Sequence, residues 1–264
     1  MNLHARLESA LLDAARLPLE EAATLARRGV QCMDLTSLES TDTPSHIEAL
    51  ARQGLTHGVA AVCVFPTFVE TIQPLLADSP VKSACVAMAF PHGQAPLEVR
   101  KLEVELAVAA GVEEVDVVIR RGLVFDEQWA LLAEELRVAR EASKGASLKV
   151  ILETGELKDP ARIYRAARLA LEHGADFVKT STGKSAIGAT PEAVATLLLA
   201  VQDDGQHRGV KVSGGVRSLE DFQRYHQLVA AVSGPEAITP TRFRVGASSL
   251  LSALSQTLRA PKGA

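Results

Sequence analysis

Three charged side chains stand in short apolar runs, where a charge is costly unless it is used or paired. Lys179 ends the run 177–179, and Lys211 and Asp116 are each flanked by valines. A lysine amine that has lost its proton attacks a carbonyl carbon to form a Schiff base, and both burial and a second nearby ammonium lower the pKa of such an amine. A neighbouring carboxylate can carry the proton. These residue types indicate imine chemistry on a carbonyl substrate.

Three loops that follow successive apolar runs have the composition of a phosphate site. They contain, in chain order, Gly183 and Lys184, Gly214 and Gly215, and Ser248 and Ser249. Glycine allows backbone N–H groups to approach an anion, and a helix that begins nearby adds a favourable dipole. The two serines also precede a helical pattern and suit helix capping. The three loops together predict a phosphorylated substrate.

Purely structural roles are also open for these charges. A lysine at the end of a strand can extend its ammonium into solvent, and the two lysines with Asp116 can instead form a buried ion-pair network that stabilises the fold. Lys149 begins a predicted strand, at the end of a barrel that serves stability, and we interpret it as structural. We expect three further residues to line the substrate pocket: Thr36, Cys63 and Thr180.

Short apolar, β-branched runs recur about every 30 residues, the interval of a βα unit in an eight-fold barrel. They cover residues 30–36, 60–65, 84–90, 115–119, 148–152, 177–180, 210–212 and 243–246. Helical patterns lie between them at residues 44–53, 68–76, 96–110, 126–144, 160–173, 191–202 and 219–232. The pattern predicts a (β/α)8 TIM barrel. An open doubly wound sheet is the alternative, which the lack of an early glycine-rich fingerprint disfavours.

A helical extension over residues 1–29 is predicted to precede the barrel. Gly29 is predicted to cap its C-terminus, because glycine readily adopts the left-handed conformation found there. No linker or low-complexity tract interrupts the 264 residues, so we predict one domain over residues 1–264. Barrel sites form where the strands end and the following loops begin. Lys179 and the three loops all fall at that end.

Composition and charge argue against several classes of function. The net charge is −4 with no basic stripe, which argues against a nucleic-acid-binding surface. No apolar run reaches the ~18 residues of a membrane span, so we expect no membrane partner. Cys32, Cys63 and Cys85 form no disulfide or zinc pattern and suit a reducing cytoplasm. The histidines lack metal-ligand spacing, so we expect neither a metal nor another cofactor.

Eight segments of the chain resemble the deoxyribose-phosphate aldolases, a family of class I aldolases with a (β/α)8 barrel. They are MDLTSL at 33–38, AAVCVFP at 60–66, FPHG at 90–93, EEVDVVI at 113–119, LKVILETGELKD at 148–159, ADFVKTSTGK at 175–184, KVSGGVRSLED at 211–221 and RVGASSLL at 244–251. The resemblance extends from about residue 33 to residue 254, and the order and spacing of the segments agree with the family.

This resemblance implies roles for the residues singled out above. Lys179 matches the Schiff-base lysine of the family, Lys211 matches the second lysine that tunes it, and Asp116 matches the aspartate of the proton relay. The loop residues match positions around the sugar phosphate. The implied reaction is the reversible cleavage of 2-deoxy-D-ribose 5-phosphate to acetaldehyde and D-glyceraldehyde 3-phosphate, without metal or cofactor, in deoxyribose catabolism. A homo-oligomer is also implied, with a dimer favoured.

Two departures from the family pattern stand out. Residues 117–122 differ from those of close relatives, which indicates a reshaped loop after strand four. The chain also ends at residues 259–264 without the tyrosine that assists proton transfer in some members. Two alternative functions stay open: another Schiff-base barrel aldolase that acts on phosphorylated sugars or keto acids, and a non-catalytic sugar-phosphate-binding protein.

Overall fold

The computed structural model describes residues 2–260, which form a closed barrel of eight parallel strands in sequential order. The strands are β1 (Met33–Thr36), β2 (Ala61–Val64), β3 (Lys82–Ala87), β4 (Glu114–Val118), β5 (Ser147–Ile151), β6 (Phe177–Lys179), β7 (Gly209–Ser213) and β8 (Phe243–Ala247). The barrel closes because β1 pairs with both β2 and β8. The predicted (β/α)8 fold is therefore confirmed, and the open-sheet alternative is wrong.

Twelve α-helices surround the barrel or extend it within the described residues. They are α1 (Leu3–Arg16), α2 (Ala22–Gln31), α3 (Pro44–His57), α4 (Val69–Leu76), α5 (Leu97–Ala109), α6 (Arg121–Phe125), α7 (Trp129–Ala142), α8 (Thr154–Leu157), α9 (Pro160–Glu172), α10 (Pro191–Asp204), α11 (Leu219–Ser233) and α12 (Leu250–Arg259). Three of these helices share one kind of start, in which Thr43, Asp159 or Thr190 caps a helix whose first residue is proline.

The boundary between the extension and the barrel differs from the prediction. Helix α2 continues through Gly29 to Gln31, so β1 begins at Met33 rather than at residue 30. Gly29 is therefore not a cap. It is needed for close packing, because a Cβ at this position would lie 2.7 Å from Leu254 of α12 and 3.3 Å from Phe222 of α11. The glycine thus allows the extension to dock tightly against the last two helices of the barrel.

Two short helices and one strand end were not anticipated. Helices α6 and α8 each lie between a predicted strand and the next predicted helix. Strand β3 runs from residue 82 to 87 rather than from 84 to 90, because Met88 and Ala89 adopt positive φ angles that end an extended strand. Residues 261–264, where the missing tyrosine was noted, lie outside the described residues. One domain over the whole chain stays a prediction.

The inside of the barrel is divided into an apolar and a charged half. A small cluster of Leu38, Ala61, Cys63, Ala84 and Val86 fills the side formed by β1 to β3. The larger apolar core lies outside the strands, between the barrel and its helices. Charged residues from β1, β4, β5, β6, β7 and β8 occupy the rest of the interior. Within residues 2–260, no helix has the length and apolar character that a membrane span requires.

Candidate active site

Strand pairing brings the three predicted catalytic side chains together. Lys179 on β6 lies directly beside Lys211 on β7, and Asp116 is the central residue of β4. Alternate residues of a strand face opposite sides, so the valines that flank Lys211 and Asp116 pack outward while the charged residues face the interior. All three are at most 3% exposed. Alternation along the strands and closure of the sheet together therefore bring them into one layer.

A single carboxylate connects three ammonium groups in this layer. Oδ2 of Asp116 accepts hydrogen bonds from Lys179 at 2.6 Å and from Lys211 at 2.7 Å, and Oδ1 accepts one from Lys149 at 3.0 Å. Such charge-assisted bonds fix the side chains that make them. Asp116 is thus placed to exchange a proton with either Lys179 or Lys211.

Lys149 belongs to this network rather than to the rim of the barrel. It is the third of five residues in β5 and is fully buried. Its ammonium also contacts Glu114 at 2.6 Å and Asp34 at 3.3 Å. The predicted position at the stability end was therefore wrong: the strand begins one residue earlier than expected, and Lys149 points at Asp116.

Arg244 of β8 completes the network on the side where the strands begin. Its guanidinium contacts Asp34 at 2.5 Å and Glu114 at 2.7 Å, and it lies 5.6 Å from the centre of the Phe177 ring. Asp34 in turn contacts Lys211 at 2.5 Å. The buried carboxylates therefore link Arg244 to the two lysines of the predicted site.

Burial and neighbouring charges separate the pKa values of the lysines. Burial lowers the pKa of Lys179; Asp116 opposes this shift and Lys211 adds to it. Burial also acts against the charged form of Lys211, but Asp116 and Asp34 outweigh it and raise the pKa of Lys211. The same balance raises the pKa of Lys149 well above its ordinary value. Lys179 is thus the lysine of the three that most readily becomes a neutral amine.

The balance of charges in the network also identifies Lys179 as the residue that can lose a proton. It holds four cations and three carboxylates: Lys149, Lys179, Lys211 and Arg244 against Asp34, Glu114 and Asp116. When all seven are ionised, one positive charge is in excess. Burial acts to raise the pKa of Asp116, but the three lysines hold it well below its usual range. Loss of a proton from Lys179 removes the excess, whereas arginine keeps its charge.

Replacement of Arg244 by methionine is expected to lower the free energy of unfolding by about 3–5 kcal/mol, because it leaves Asp34 and Glu114 buried with fewer cations. Urea unfolding measures the change. The matched control is Arg16→Met, since Arg16 forms an exposed ion pair with Asp13 that contributes at most about 1 kcal/mol. Equal losses in the two variants would contradict a structural role for the Arg244 network.

A cavity of about 510 Å³ opens at the end of the barrel where the strands finish. Lys179 lines it, whereas Lys211 and Asp116 are fully buried and do not. The six predicted phosphate-loop residues and Thr36 also line it: Gly183, Lys184, Gly214, Gly215, Ser248 and Ser249. A larger cavity of about 990 Å³ lies at the opposite end, but Lys179 is not in its wall. The smaller cavity, which holds both Lys179 and the predicted phosphate loops, is therefore the candidate active site.

The glycine loops approach each other closely at this cavity. Gly183, Gly214 and Gly215 all have φ angles between 81° and 86°, which other residues rarely adopt. A Cβ at Gly214 would lie 2.9 Å from Cα of Gly188 in the loop after β6. The glycines thus allow two backbone segments to come together at the cavity wall, which is the arrangement that backbone anion sites use.

The other predicted phosphate residues lie at the rim. Ser248 and Ser249 are exposed, and Ser249 makes no side-chain capping bond to α12, so both hydroxyls are available to a ligand. Lys184 forms an ion pair with Glu39 at 3.1 Å. Since exposed ion pairs contribute little free energy, Lys184 can exchange Glu39 for a phosphate at small cost.

The three further pocket residues differ in their placement. The hydroxyl of Thr36 donates to the backbone oxygen of Asp34 at 2.8 Å. Cys63 is fully buried in the apolar half of the barrel, and burial raises the pKa of its thiol. The hydroxyl of Thr180 donates to the backbone oxygen of Ser213 at 3.1 Å and accepts from its N–H. Of the three, only Thr36 is in the cavity wall.

A buried glutamate holds the loop after β6, a role that the sequence analysis did not assign. One oxygen of Glu153 accepts from the N–H and the hydroxyl of Thr182, at 3.2 Å and 2.5 Å. The Thr182 hydroxyl then accepts from the N–H of Lys184 at 3.1 Å. Arg121, from the segment that departs from the family pattern, lies 2.7 Å from Glu156 and 4.0 Å from Glu153. The loop after β4 thus contacts, through Arg121, the glutamate that holds the loop carrying Lys184.

Within residues 2–260, no group of three or more histidine, cysteine, aspartate or glutamate side chains has the arrangement of a metal site.

Comparisons with known proteins assign the chain to a family. A family model described as DeoC/LacD family aldolase matches residues 29–256. Deoxyribose-phosphate aldolase from Bos taurus is 37% identical over 284 aligned positions, covering 98% of this chain and 89% of that protein. The human protein of the same name is 38% identical and covers 88% of this chain and 80% of its own length. The tetrameric structure of deoxyribose phosphate aldolase from Aeropyrum pernix matches with a TM-score of 0.74 and 29% identity, over 97% of this chain and 98% of that one. The chain therefore belongs to the DeoC/LacD family of aldolases and is a lyase.

Proposed function

We propose that the enzyme reversibly cleaves 2-deoxy-D-ribose 5-phosphate to acetaldehyde and D-glyceraldehyde 3-phosphate through a Schiff base on Lys179. One observation carries the proposal: a buried lysine with a lowered pKa shares a cavity with three loops of phosphate-binding character. The names of the curated relatives supply the substrate. The aspartate of the network would transfer the protons, and the second lysine would supply a positive charge beside Lys179.

The first stage forms the imine. The neutral amine of Lys179 attacks C1 of the open-chain sugar, and the carbinolamine loses water to give the protonated imine. Asp116 contacts both Lys179 and Lys211, so it can take the proton that the amine releases and return one to the departing hydroxyl. Lys211 keeps its proton because its pKa is raised, and its positive charge favours the neutral form of Lys179.

The second stage breaks the bond between C2 and C3. Loss of the proton from the C3 hydroxyl forms the aldehyde of D-glyceraldehyde 3-phosphate, and the bonding electrons pass to C2 to give an enamine. The positively charged imine nitrogen accepts these electrons, which is why the Schiff base lowers the barrier. Protonation of the enamine at C2 and hydrolysis of the new imine then release acetaldehyde and restore the Lys179 amine.

The other end of the substrate is assigned to the loops after β6, β7 and β8. The backbone N–H groups near Gly183, Gly214 and Gly215, the hydroxyls of Ser248 and Ser249, and the ammonium of Lys184 would hold the phosphate. Glu153 positions the loop after β6 through Thr182. Holding the phosphate places C1 near Lys179 and converts binding energy into orientation.

An aldol-cleavage assay on deoxyribose 5-phosphate with a chelator present tests the proposal. We expect turnover to persist with the chelator, and borohydride reduction during turnover to attach the donor carbons to Lys179, as measured by peptide mass spectrometry. Pyruvate and dihydroxyacetone phosphate replace acetaldehyde as donors in parallel synthesis reactions. Preference for either one would indicate a different barrel aldolase, and binding of the sugar phosphate without any reducible adduct would indicate a non-catalytic binding protein.

Assembly, location and pathway are also proposals. The deoxyribose phosphate aldolase of Aeropyrum pernix is described as tetrameric, and we propose that this chain is a homo-oligomer, with a dimer favoured. Light scattering measures its mass. The three cysteines are free and buried, and we propose a cytoplasmic location, where thiols stay reduced. Removal of deoxyribose 5-phosphate would then serve deoxyribose catabolism.

A further inference from the structure

Ser213 is the last residue of β7 and directs its side chain into the barrel. Val210 and Val212 pack in the outer core, so Lys211 and Ser213 face the interior. The register partner of Ser213 is Gly246 of β8. A Cβ at Gly246 would overlap the Ser213 hydroxyl and lie 3.1 Å from Cε of Lys211. Glycine at this position therefore leaves room for a hydroxyl beside the second lysine.

The hydroxyl of Ser213 has no hydrogen-bond partner within residues 2–260. The residue is only 5% exposed, and its backbone N–H and oxygen are both bonded to the Thr180 hydroxyl. A buried hydroxyl without a partner lowers stability, and alanine would fill the same position without that cost. The fold therefore gives no reason for a serine here.

The position of this hydroxyl indicates a ligand. Glu153, Thr154 and Ser181 also carry buried polar atoms without partners near the ends of β5 and β6, but none of them lines the cavity around Lys179. Ser213 does line it. It lies one residue before Gly214 and two residues after Lys211, which places it roughly 6.6 Å along the strand from the lysine layer toward the mouth. It thus stands between the two ends of the proposed substrate.

We propose that Ser213 is a specificity-determining residue that hydrogen-bonds the C4 hydroxyl of the sugar phosphate, an inference that rests on the proposed function. The C4 hydroxyl is on the carbon next to the one that bears the phosphate. Ser213 is next to Gly214, which we assign to phosphate binding. The C3 hydroxyl lies nearer the imine and loses its proton during cleavage. The C4 hydroxyl becomes the C2 hydroxyl of D-glyceraldehyde 3-phosphate.

Synthesis from acetaldehyde with two acceptors tests this assignment. D-Glyceraldehyde 3-phosphate carries the hydroxyl, and 3-oxopropyl phosphate is the same aldehyde without it. For Ser213→Ala we expect kcat/KM to fall about fivefold to tenfold with the hydroxylated acceptor, the usual effect of one neutral hydrogen bond, and to change less than twofold with the other. The control, Ser252→Ala on the exposed side of α12, should leave both values unchanged.

Stability separates this role from a structural one. Because the alanine variant loses a hydroxyl that has no protein partner, its urea midpoint should equal or exceed that of the wild type, and a clear loss of stability would overturn the proposal. Equal effects on the two acceptors, including no effect on either, would also overturn it while leaving the aldolase function intact. Absence of product with the wild-type enzyme would overturn the proposed function and this inference together.

Discussion

Replacement of Lys179 by alanine is expected to lower turnover of deoxyribose 5-phosphate by on the order of 10⁴-fold or more, because the nucleophile of the covalent step is removed. The protein should stay folded, since Asp116 keeps Lys149 and Lys211 as partners and the excess positive charge of the network disappears. The assay is the initial rate of cleavage, with circular dichroism as the check on folding.

The matched control for this variant is Lys144→Ala. Lys144 is an exposed lysine between α7 and β5, so its loss should change neither the rate nor the site of borohydride trapping. The wild type and the control should both give a reduced adduct on Lys179, and the Lys179 variant should give none. Retained cleavage with an adduct on Lys211 would show that the other lysine of the pair is the nucleophile.

Strand periodicity was enough to predict that three charged side chains meet inside the barrel. Lys179, Lys211 and Asp116 each stand in an apolar run with outward-facing neighbours, and in a closed parallel barrel every inward residue near a strand end faces the same space. The loops with Gly183 and Gly214 follow directly from those strands. The position of these side chains and loops depends on the local pattern of apolar residues and on the closure of the sheet. Both could be inferred from the sequence.

Partner choice within the network could not be predicted in the same way. Arg244 of β8 and Glu114 of β4 are far apart in sequence and on non-neighbouring strands, yet their side chains meet inside the barrel. Lys149 was misplaced because a shift of one residue in a predicted strand start changes how deep a side chain lies. Sequence also does not distinguish the two roles of a glycine such as Gly29, since a helix end and a close helix contact both favour glycine.

The structure also changes how the low pKa of Lys179 is explained. The sequence indicates two causes, burial and repulsion from Lys211, without ranking them; in the structure burial has the larger effect on the pKa of Lys179, and Asp116 opposes it. Lys211 is itself held charged by two carboxylates, one of which is Asp34. The arrangement keeps a permanent cation next to a lysine that can become neutral, and the buried Arg244 and Lys149 help to balance the carboxylates that would otherwise hold the proton on Lys179.

Replacement of Lys211 by leucine is therefore expected to move the acid limb of the kcat/KM profile to higher pH. The reactive form of Lys179 is the neutral amine, and loss of the neighbouring cation raises the pKa of that amine. Oδ2 of Asp116, which now serves both lysines, would then pair with Lys179 alone and raise it further. Each unit of increase lowers the neutral fraction about tenfold at a pH below the pKa.

The opposite shift is expected for Asp116→Asn, because it removes the anion that favours protonated Lys179. Its rate should fall through loss of the proton relay, but the acid limb should move to lower pH. Lys211→Arg serves as the charge-retaining comparison, since arginine stays protonated. The measurements are kcat/KM and the rate of borohydride trapping as functions of pH. Shifts in the same direction for the leucine and asparagine variants would contradict electrostatic control of Lys179, because one substitution removes a cation from its neighbourhood and the other removes an anion.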